Sequence, residues 1–315
     1  MDTTTDASLA RPRVIAGAGA DSANGPERAK GGEGLGGASS AGESTAAPQP
    51  VGVTVRALRH GFGELHVLDE LSLDAAGGEV LGIVGPSGSG KTTLLELIAG
   101  LREPEAETRP GDRGEEPTRA HPEIAIGSAT DSSERLARCA YMPQRDLLLP
   151  WLRAIDNASI AARNRGASRS AARAAAAPLF ERFGLGGFED AHPGRLSGGM
   201  RQRVAFLRTL LADKPVLLLD EPFGALDAIT RAEMQEWLAA ALAAEPRTVL
   251  LVTHDVEEAL YLCDRVLVLT PRPAQVAAEL AAPEPRSKPR VDVITSRAFV
   301  SVREAALAAL VEGTR

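Results

Sequence analysis

From Val51 onward apolar and polar positions alternate, with Val51, Val53 and Val55 on one side of an extended segment. That is the mark of a half-buried strand. The style continues through Val67-Leu68 and Leu71-Ser72-Leu73 to a turn at Gly77-Gly78. The pattern then changes. The runs Val80-Leu81-Gly82-Ile83-Val84, "PVLLLD" (215–220) and "TVLLVTHD" (248–255) are apolar at nearly every position and close on polar residues. A strand covered on both faces reads this way, and in such sheets the chemistry gathers at the C-terminal strand ends. "RAEMQEWLAAALAAE" (231–245) has helical composition and lies between the last two runs. Strand, helix, strand in series predicts a parallel sheet covered by helices, an α/β fold. "EIAIG" (123–127) predicts another strand, and residues 151–183, rich in Ala and Arg at helical spacing, predict a mostly helical section. A final amphipathic segment, 298–311, is expected to pack back on the domain, and no internal repeat is visible.

Two stretches break the pattern. Residues 1–50 are mostly Gly, Ala, Ser, Thr and Pro, too poor in bulky apolar side chains to offset the entropy of ordering, and predict a disordered tail. Residues 103–122 hold Pro, Gly and many charges and predict a solvated surface loop. The expected organisation is a tail (1–50), one nucleotide-binding domain (51–275) with a helical subdomain at about 145–200, and a C-terminal extension (276–315).

Composition narrows the function. Of 315 residues 44% are hydrophobic and 24% charged, as in an ordinary globular protein, and the net charge of −7 argues against a general nucleic-acid binder. Cys139 and Cys263 stand far apart in no metal-type spacing and are expected to be reduced, buried thiols of a cytosolic protein. Arg11 and Arg13 precede Val14-Ile15, but no secretory-type apolar core follows, and no apolar run reaches the roughly 20 residues that span a bilayer. Any membrane role must come through a partner.

The first candidate chemistry is "GPSGSGKTT", residues 85–93, between an apolar strand and the helix-like "TTLLELIAG". Gly85, Gly90, Lys91 and Thr92 fit the phosphate-loop pattern, in which glycines let backbone N–H groups of Ser87, Gly88 and Ser89, which follow Pro86 in the loop, turn toward one anion. Lys91 would bring its charge to the β- and γ-phosphates, and the hydroxyl of Thr92, which Thr93 follows, would ligate Mg²⁺. The chain has only four lysines among 35 basic residues, so a lysine at this position is a selective choice. In "PVLLLDE", Asp220 is expected to hold Mg²⁺, through a water, and Glu221 to polarise an attacking water. "LSGGMRQR" (196–203) places Ser197, Gly198 and Gly199 at a second glycine-rich helix start. One nucleotide has no need of two such cradles from a single chain. A simple helix cap is the competing reading.

Together "GPSGSGKTT", "LSGGMRQR", "LLLDEPFGALD" and "LLVTHD" resemble, in order and spacing, the ATP-binding subunits of ABC transporters, over about Val51 to Thr270. The resemblance implies a P-loop NTPase with a RecA-like parallel sheet core, a β-rich edge subdomain and an α-helical signature subdomain. It implies a homodimer in which two copies sandwich two ATP molecules head to tail. Ser197 and Gly199 would then contact the γ-phosphate held by the other copy. It also implies that Phe62 stacks on adenine, with plain core packing as the alternative. Gln144 would touch Mg²⁺ and water and sense the membrane partner, Asp227 would lie in the loop crossing the dimer interface, and His254 would hold the γ-phosphate. Two departures stand out: Met200 replaces the family's usual glutamine, and residues 103–122 exceed the usual connection.

"LLPW" followed by "DN", in 148–157, looks like importers of the nitrate, sulfonate and taurine type, with Trp151 and the leucines before it as candidate permease-groove residues. The segment 206–238 also resembles subunits of a thiamine pyrimidine-precursor branch. The expected protein is therefore an ATPase peripheral to the cytoplasmic face of the membrane. It would power integral-membrane permease subunits that a solute-binding protein feeds, and it would not act on nucleic acid. The alternative is a non-transport ABC ATPase acting on ribosomes or DNA.

Overall fold

The computed structural model describes residues 49–104, 123–283 and 288–313. The expected tail, apart from its last two residues, and the loop from residue 105 on lie outside the described residues.

Two sheets organise the chain. β1 (Val53–Phe62) pairs antiparallel with β2 (Leu65–Ala75) and with β4 (Glu123–Ile126), giving a three-stranded sheet in the order β2-β1-β4. The second sheet runs β5-β6-β7-β3-β8-β9 and comprises β3 (Val80–Val84), β5 (Cys139–Met142), β6 (Val216–Asp220), β7 (Thr248–Thr253), β8 (Arg265–Leu269) and β9 (Val276–Ala281). All its pairings are parallel except β8 with β9. Ten α-helices accompany the sheets: α1 (Lys91–Ala99), α2 (Ser132–Arg138), α3 (Ala154–Ala158), α4 (Ile160–Asn164), α5 (Arg169–Arg182), α6 (Gly198–Leu210), α7 (Ala228–Ala244), α8 (Val256–Leu262), α9 (Arg290–Ile294) and α10 (Arg297–Glu312), counted among the described residues.

The continuous apolar runs are explained by burial on two faces. Leu81, Ile83, Val216, Leu218, Leu250 and Val252 join the core shared with α1 and the three-stranded sheet. Their neighbours Val80, Val84, Leu217, Leu219, Val249 and Leu251 join the core on the opposite face, with α6, α7 and α8. The strand period of two thus assigns alternate residues of one run to two different cores. Gly82 has to be small, since a Cβ there would sit 2.9 Å from Cys263 Sγ.

In the helical section, Asp156 of α3 is buried and accepts paired hydrogen bonds from Arg169 and Arg173 of α5. These guanidinium bonds hold its carboxyl well below the usual carboxylate range. Asn157 staples the preceding loop, donating to the carbonyls of Leu149, Leu152 and Arg153 and accepting from the Leu149 N–H at 2.8 Å. Trp151 stays outside, 70% exposed, and Leu147 is 59% exposed. After β9, α10 packs Phe299 and Ala306 into the core beside α8. Arg290 of α9 donates to Gln235 of α7 and Glu257 of α8. Cys139 and Cys263 are buried and not disulfide-bonded.

Candidate functional site

β3 ends at Val84, and residues 85–90 wrap around the start of α1. Gly88 and Gly90 take φ of +77° and +100°, a region that residues with a Cβ rarely adopt. At Gly90 a Cβ would also stand 2.6 Å from Val67 Cγ1 on β2. Ser89 is buried and donates its backbone N–H to the Pro86 carbonyl at 3.2 Å. Lys91 folds back into the loop, 6% exposed, and its Nζ donates to the carbonyls of Gly85 and Pro86 at 2.9 and 2.8 Å. Burial lowers the pKa of its ammonium, against the opposing pull of Glu221 and Asp220.

Parallel pairing brings the ends of β3, β7 and β6 to one edge of the sheet, and α1 crosses back over β6. As a result Thr92 Oγ1 donates to Asp220 Oδ2 at 2.8 Å across 128 residues of sequence. Asp220 is almost fully buried. Burial pushes its carboxyl above the ordinary value, with the Thr92 hydrogen bond working the other way.

Glu221 extends the ladder by one step, its N–H donating to the Val252 carbonyl at 2.8 Å, and then turns with φ of +48°. A non-glycine residue held in that region costs of order 1–3 kcal/mol, and such outliers gather at functional sites. Its carboxylate accepts from Gln144 Nε2 at 3.1 Å on one oxygen and lies 3.3 Å from His254 Nδ1 on the other. His254 sits just past β7 with its side chain 60% exposed, while Asp255 caps α8 behind it.

Lys91, Thr92, Gln144, Asp220 and Glu221 border one cavity of about 320 Å³, whereas His254 reaches Glu221 from a second one that it lines with Asp255, Glu257 and Arg303. Phe62 lines the first cavity, 41% exposed, with the Arg102 guanidinium 5.0 Å from its ring centroid; it is no core residue. Ser87, Gly88 and Gly90 of the loop and Thr93 of α1 line that cavity as well. Ser197, Gly198 and Gly199 are not among the lining residues. Ser197 caps α6, accepting from the Met200 N–H at 3.2 Å, with its own surface and that of Gly198 exposed. Asp227 caps α7 through the Thr230 N–H at 3.1 Å and is likewise exposed; its carboxyl is lowered by those cap hydrogen bonds.

Two residues of this region went unread in the sequence. Tyr141, at the end of β5, hydrogen-bonds Asp220, and its hydroxyl is pushed up chiefly by burial. Arg272 borders the cavity beside Gly88. A signal for Arg272 existed: it follows an apolar strand, where α/β sheets collect their ligands.

A glycine-rich loop joining a strand to a helix, with a lysine in the loop and an Asp-Glu pair at the end of a parallel strand, defines a P-loop nucleotide hydrolase. Residues 68–224 match the family described as ABC transporter. Among curated relatives, the chain is 43% identical over 242 residues to the aliphatic sulfonates import ATP-binding protein SsuB 1 of Rhodococcus jostii, covering 77% of this chain and 88% of that protein. It is 42% identical over 217 residues to the formylaminopyrimidine import ATP-binding protein ThiZ of Halalkalibacterium halodurans, covering 69% and 78%. Among solved structures, it resembles a dimeric ATP-binding cassette in a post-hydrolysis state bound to ADP and Pi, with TM-score 0.62, 27% identity, and coverage of 73% of this chain and 98% of that one. The chain belongs to the ABC transporter ATP-binding family and is an ATP hydrolase of that family.

Proposed function

We propose that this chain is the ATPase of an importer for a small organic solute, working as a head-to-tail homodimer on integral-membrane permease subunits at the cytoplasmic face of the membrane. One observation carries the reading. The two glycine-rich helix starts do not share a cavity, the first lying beside the Asp220–Glu221 pair and the second exposed at α6. A second copy can bring Ser197 and Gly199 to the γ-phosphate side of the first copy's cavity, with Asp227 at the edge between copies.

Within each cavity Phe62 supplies a ring for adenine and Lys91 a cation for the β- and γ-phosphates. Thr92 and Asp220 offer hard oxygens 2.8 Å apart, which suits Mg²⁺, an ion that accepts few protein oxygens and keeps several waters. Gln144 can add its Oε1 to that set, because its Nε2 is already directed at Glu221. Mg²⁺ bound there would neutralise charge on the phosphates. The Glu221 carboxylate, held between Gln144 and His254, accepts the proton of the attacking water, and His254 holds the terminal phosphate.

The exposed Leu147 and Trp151 lie a few residues past Gln144, so a permease seated on them is linked through the chain to the water-positioning group. ATP favours the closed dimer and hydrolysis the open one, and the permease follows that two-state change. No helix among the described residues is long and apolar enough to cross a membrane, so attachment through a permease fits. The solute-binding protein acts only indirectly, through the permease. Relatives named for aliphatic sulfonates and for formylaminopyrimidine bracket the cargo class.

The dimer is tested with Glu221→Gln in Mg²⁺ and ATP, by light scattering during gel filtration. A stable dimer that hydrolyses very slowly is expected. A monomer with unchanged turnover at every ATP concentration overturns the proposal. Uptake of sulfonates, taurine, nitrate and thiamine pyrimidine precursors in cells lacking this chain identifies the cargo.

A further inference from the structure

Beyond the motifs, one cation of the cavity has no assigned role. Arg272 follows β8 in the turn "TPRPAQ" and borders the same cavity as Phe62 and Lys91. Its Nη2 lies 3.6 Å from where a Cβ on Gly88 would be, so the guanidinium lies against the outer half of the phosphate loop. Among the described residues no carboxylate or carbonyl pairs with it, whereas Arg265 on the same strand is shared by Glu79 and Glu279.

The turn that carries Arg272 is pinned on both sides. Ala274 donates to the Val67 carbonyl at 2.8 Å and accepts from the Asp69 N–H at 3.2 Å, both on β2. Gln275 donates from its backbone to Thr270 and from its side chain to Asp69, at 3.0 and 3.1 Å. On the other side, Leu269 comes within 3.1 Å of a Cβ placed on Gly85. A cation on a turn hydrogen-bonded to β2, beginning where β8 packs beside Gly85, is preorganised, and little ordering is left for binding.

Position fixes what it can reach. The guanidinium of Arg272 lies against Gly88 of the phosphate loop, and Arg272 borders the cavity that Phe62 and Lys91 also line. Thr92 with Asp220, and Gln144 with Glu221, are already hydrogen-bonded to one another, which leaves Arg272 for the phosphates nearest Gly88. Resting on the ATP reading of this cavity, we infer that Arg272 is a nucleotide-binding residue that pairs with the α- and β-phosphates, the charges ATP and ADP have in common. A planar guanidinium offers two parallel N–H donors to phosphate oxygens, and such charge-assisted bonds are the strong ones.

The test is calorimetric titration of the full chain with ATP and with ADP, each with Mg²⁺ and again in EDTA. Arg272→Ala is expected to raise both dissociation constants about tenfold in either buffer, as expected for one lost charged hydrogen bond. Arg272→Lys should recover part of the loss, and thermal melting without nucleotide should match the parent. An unchanged affinity for both nucleotides overturns the inference, and so does a loss confined to ATP. Arg272→Gln, carried in parallel, keeps the test decisive if the alanine variant fails to fold. Lys91→Ala separates the two levels: if that variant loses binding while Arg272 variants do not, only Arg272 loses its role. If Lys91→Ala binds normally, the phosphate-loop reading itself falls.

Discussion

The helix starts of α1 and α6 are both glycine-rich, yet their surroundings differ. α1 begins at Gly90 in the left-handed region with no side chain capping it, and Lys91 is buried beneath the loop. α6 begins after Ser197, whose hydroxyl accepts the Met200 N–H, and Arg201 near its start is engaged with Asp146 and the Leu196 carbonyl. The first start has no side chain capping its N–H groups and has a buried cation beside it. The second is self-capped, exposed and has its nearby cation occupied. The lesson is that a glycine-rich helix N-terminus defines a binding site only through what the fold packs around it. Carboxyls in the two regions differ in the same way. Asp220 near α1 is raised by burial, while Asp156 in the helical section is held low by two arginines.

The sharpest break of this comparison is chemical. Glu221→Gln should lower hydrolysis by about 10³, within the range for a lost general base, while leaving ATP binding intact; a phosphate-release assay beside a titration checks both. Next comes Lys91→Ala, expected to weaken ATP about 100-fold because it removes a buried cation from several charge-assisted bonds, read by nucleotide titration. Ser197→Ala should leave ATP affinity of the dilute chain unchanged and cost about 1 kcal/mol in stability through the lost cap, seen by urea unfolding. A fall in that affinity would place the signature in the same cavity as Lys91 and remove the contrast.

The last test concerns a buried carboxyl of α8. Glu258 is buried, hydrogen-bonded to Gln235 at 2.9 Å, and burial raises its carboxyl to about 7. Between its ordinary 4.5 and about 7 the folded chain therefore binds more protons than the unfolded one. Stability from this group is fully present below the lower value and is lost as pH rises through that window. Glu258→Gln should flatten this part of the pH profile. Melting temperatures from pH 5 to 8 check it (an unchanged slope would assign the dependence elsewhere).

Much of this was legible because its chemistry is local. Gly90 needs its φ, Lys91 and Thr92 follow it at fixed spacing, and buried strands betray themselves by unbroken apolar runs. The exposure of Phe62 and Trp151 was not legible, since an aromatic residue reads alike in a core and on a surface. Tyr141 and Arg272 were hidden for another reason: each acts on a residue that only strand order brings near. β5 sets Tyr141 beside Asp220, and β8 sets Arg272 beside Gly88.

By itself, then, the sequence determined the phosphate loop, the acidic strand end and the double-covered sheet, because backbone conformation and hydrophobic period are properties of neighbouring residues. Only the tertiary structure decided that Thr92 meets Asp220, that Gln144 and His254 share Glu221, and that Ser197 faces outward. Those relations depend on the order in which parallel strands pair, and pairing is settled by the packing of two cores across one sheet.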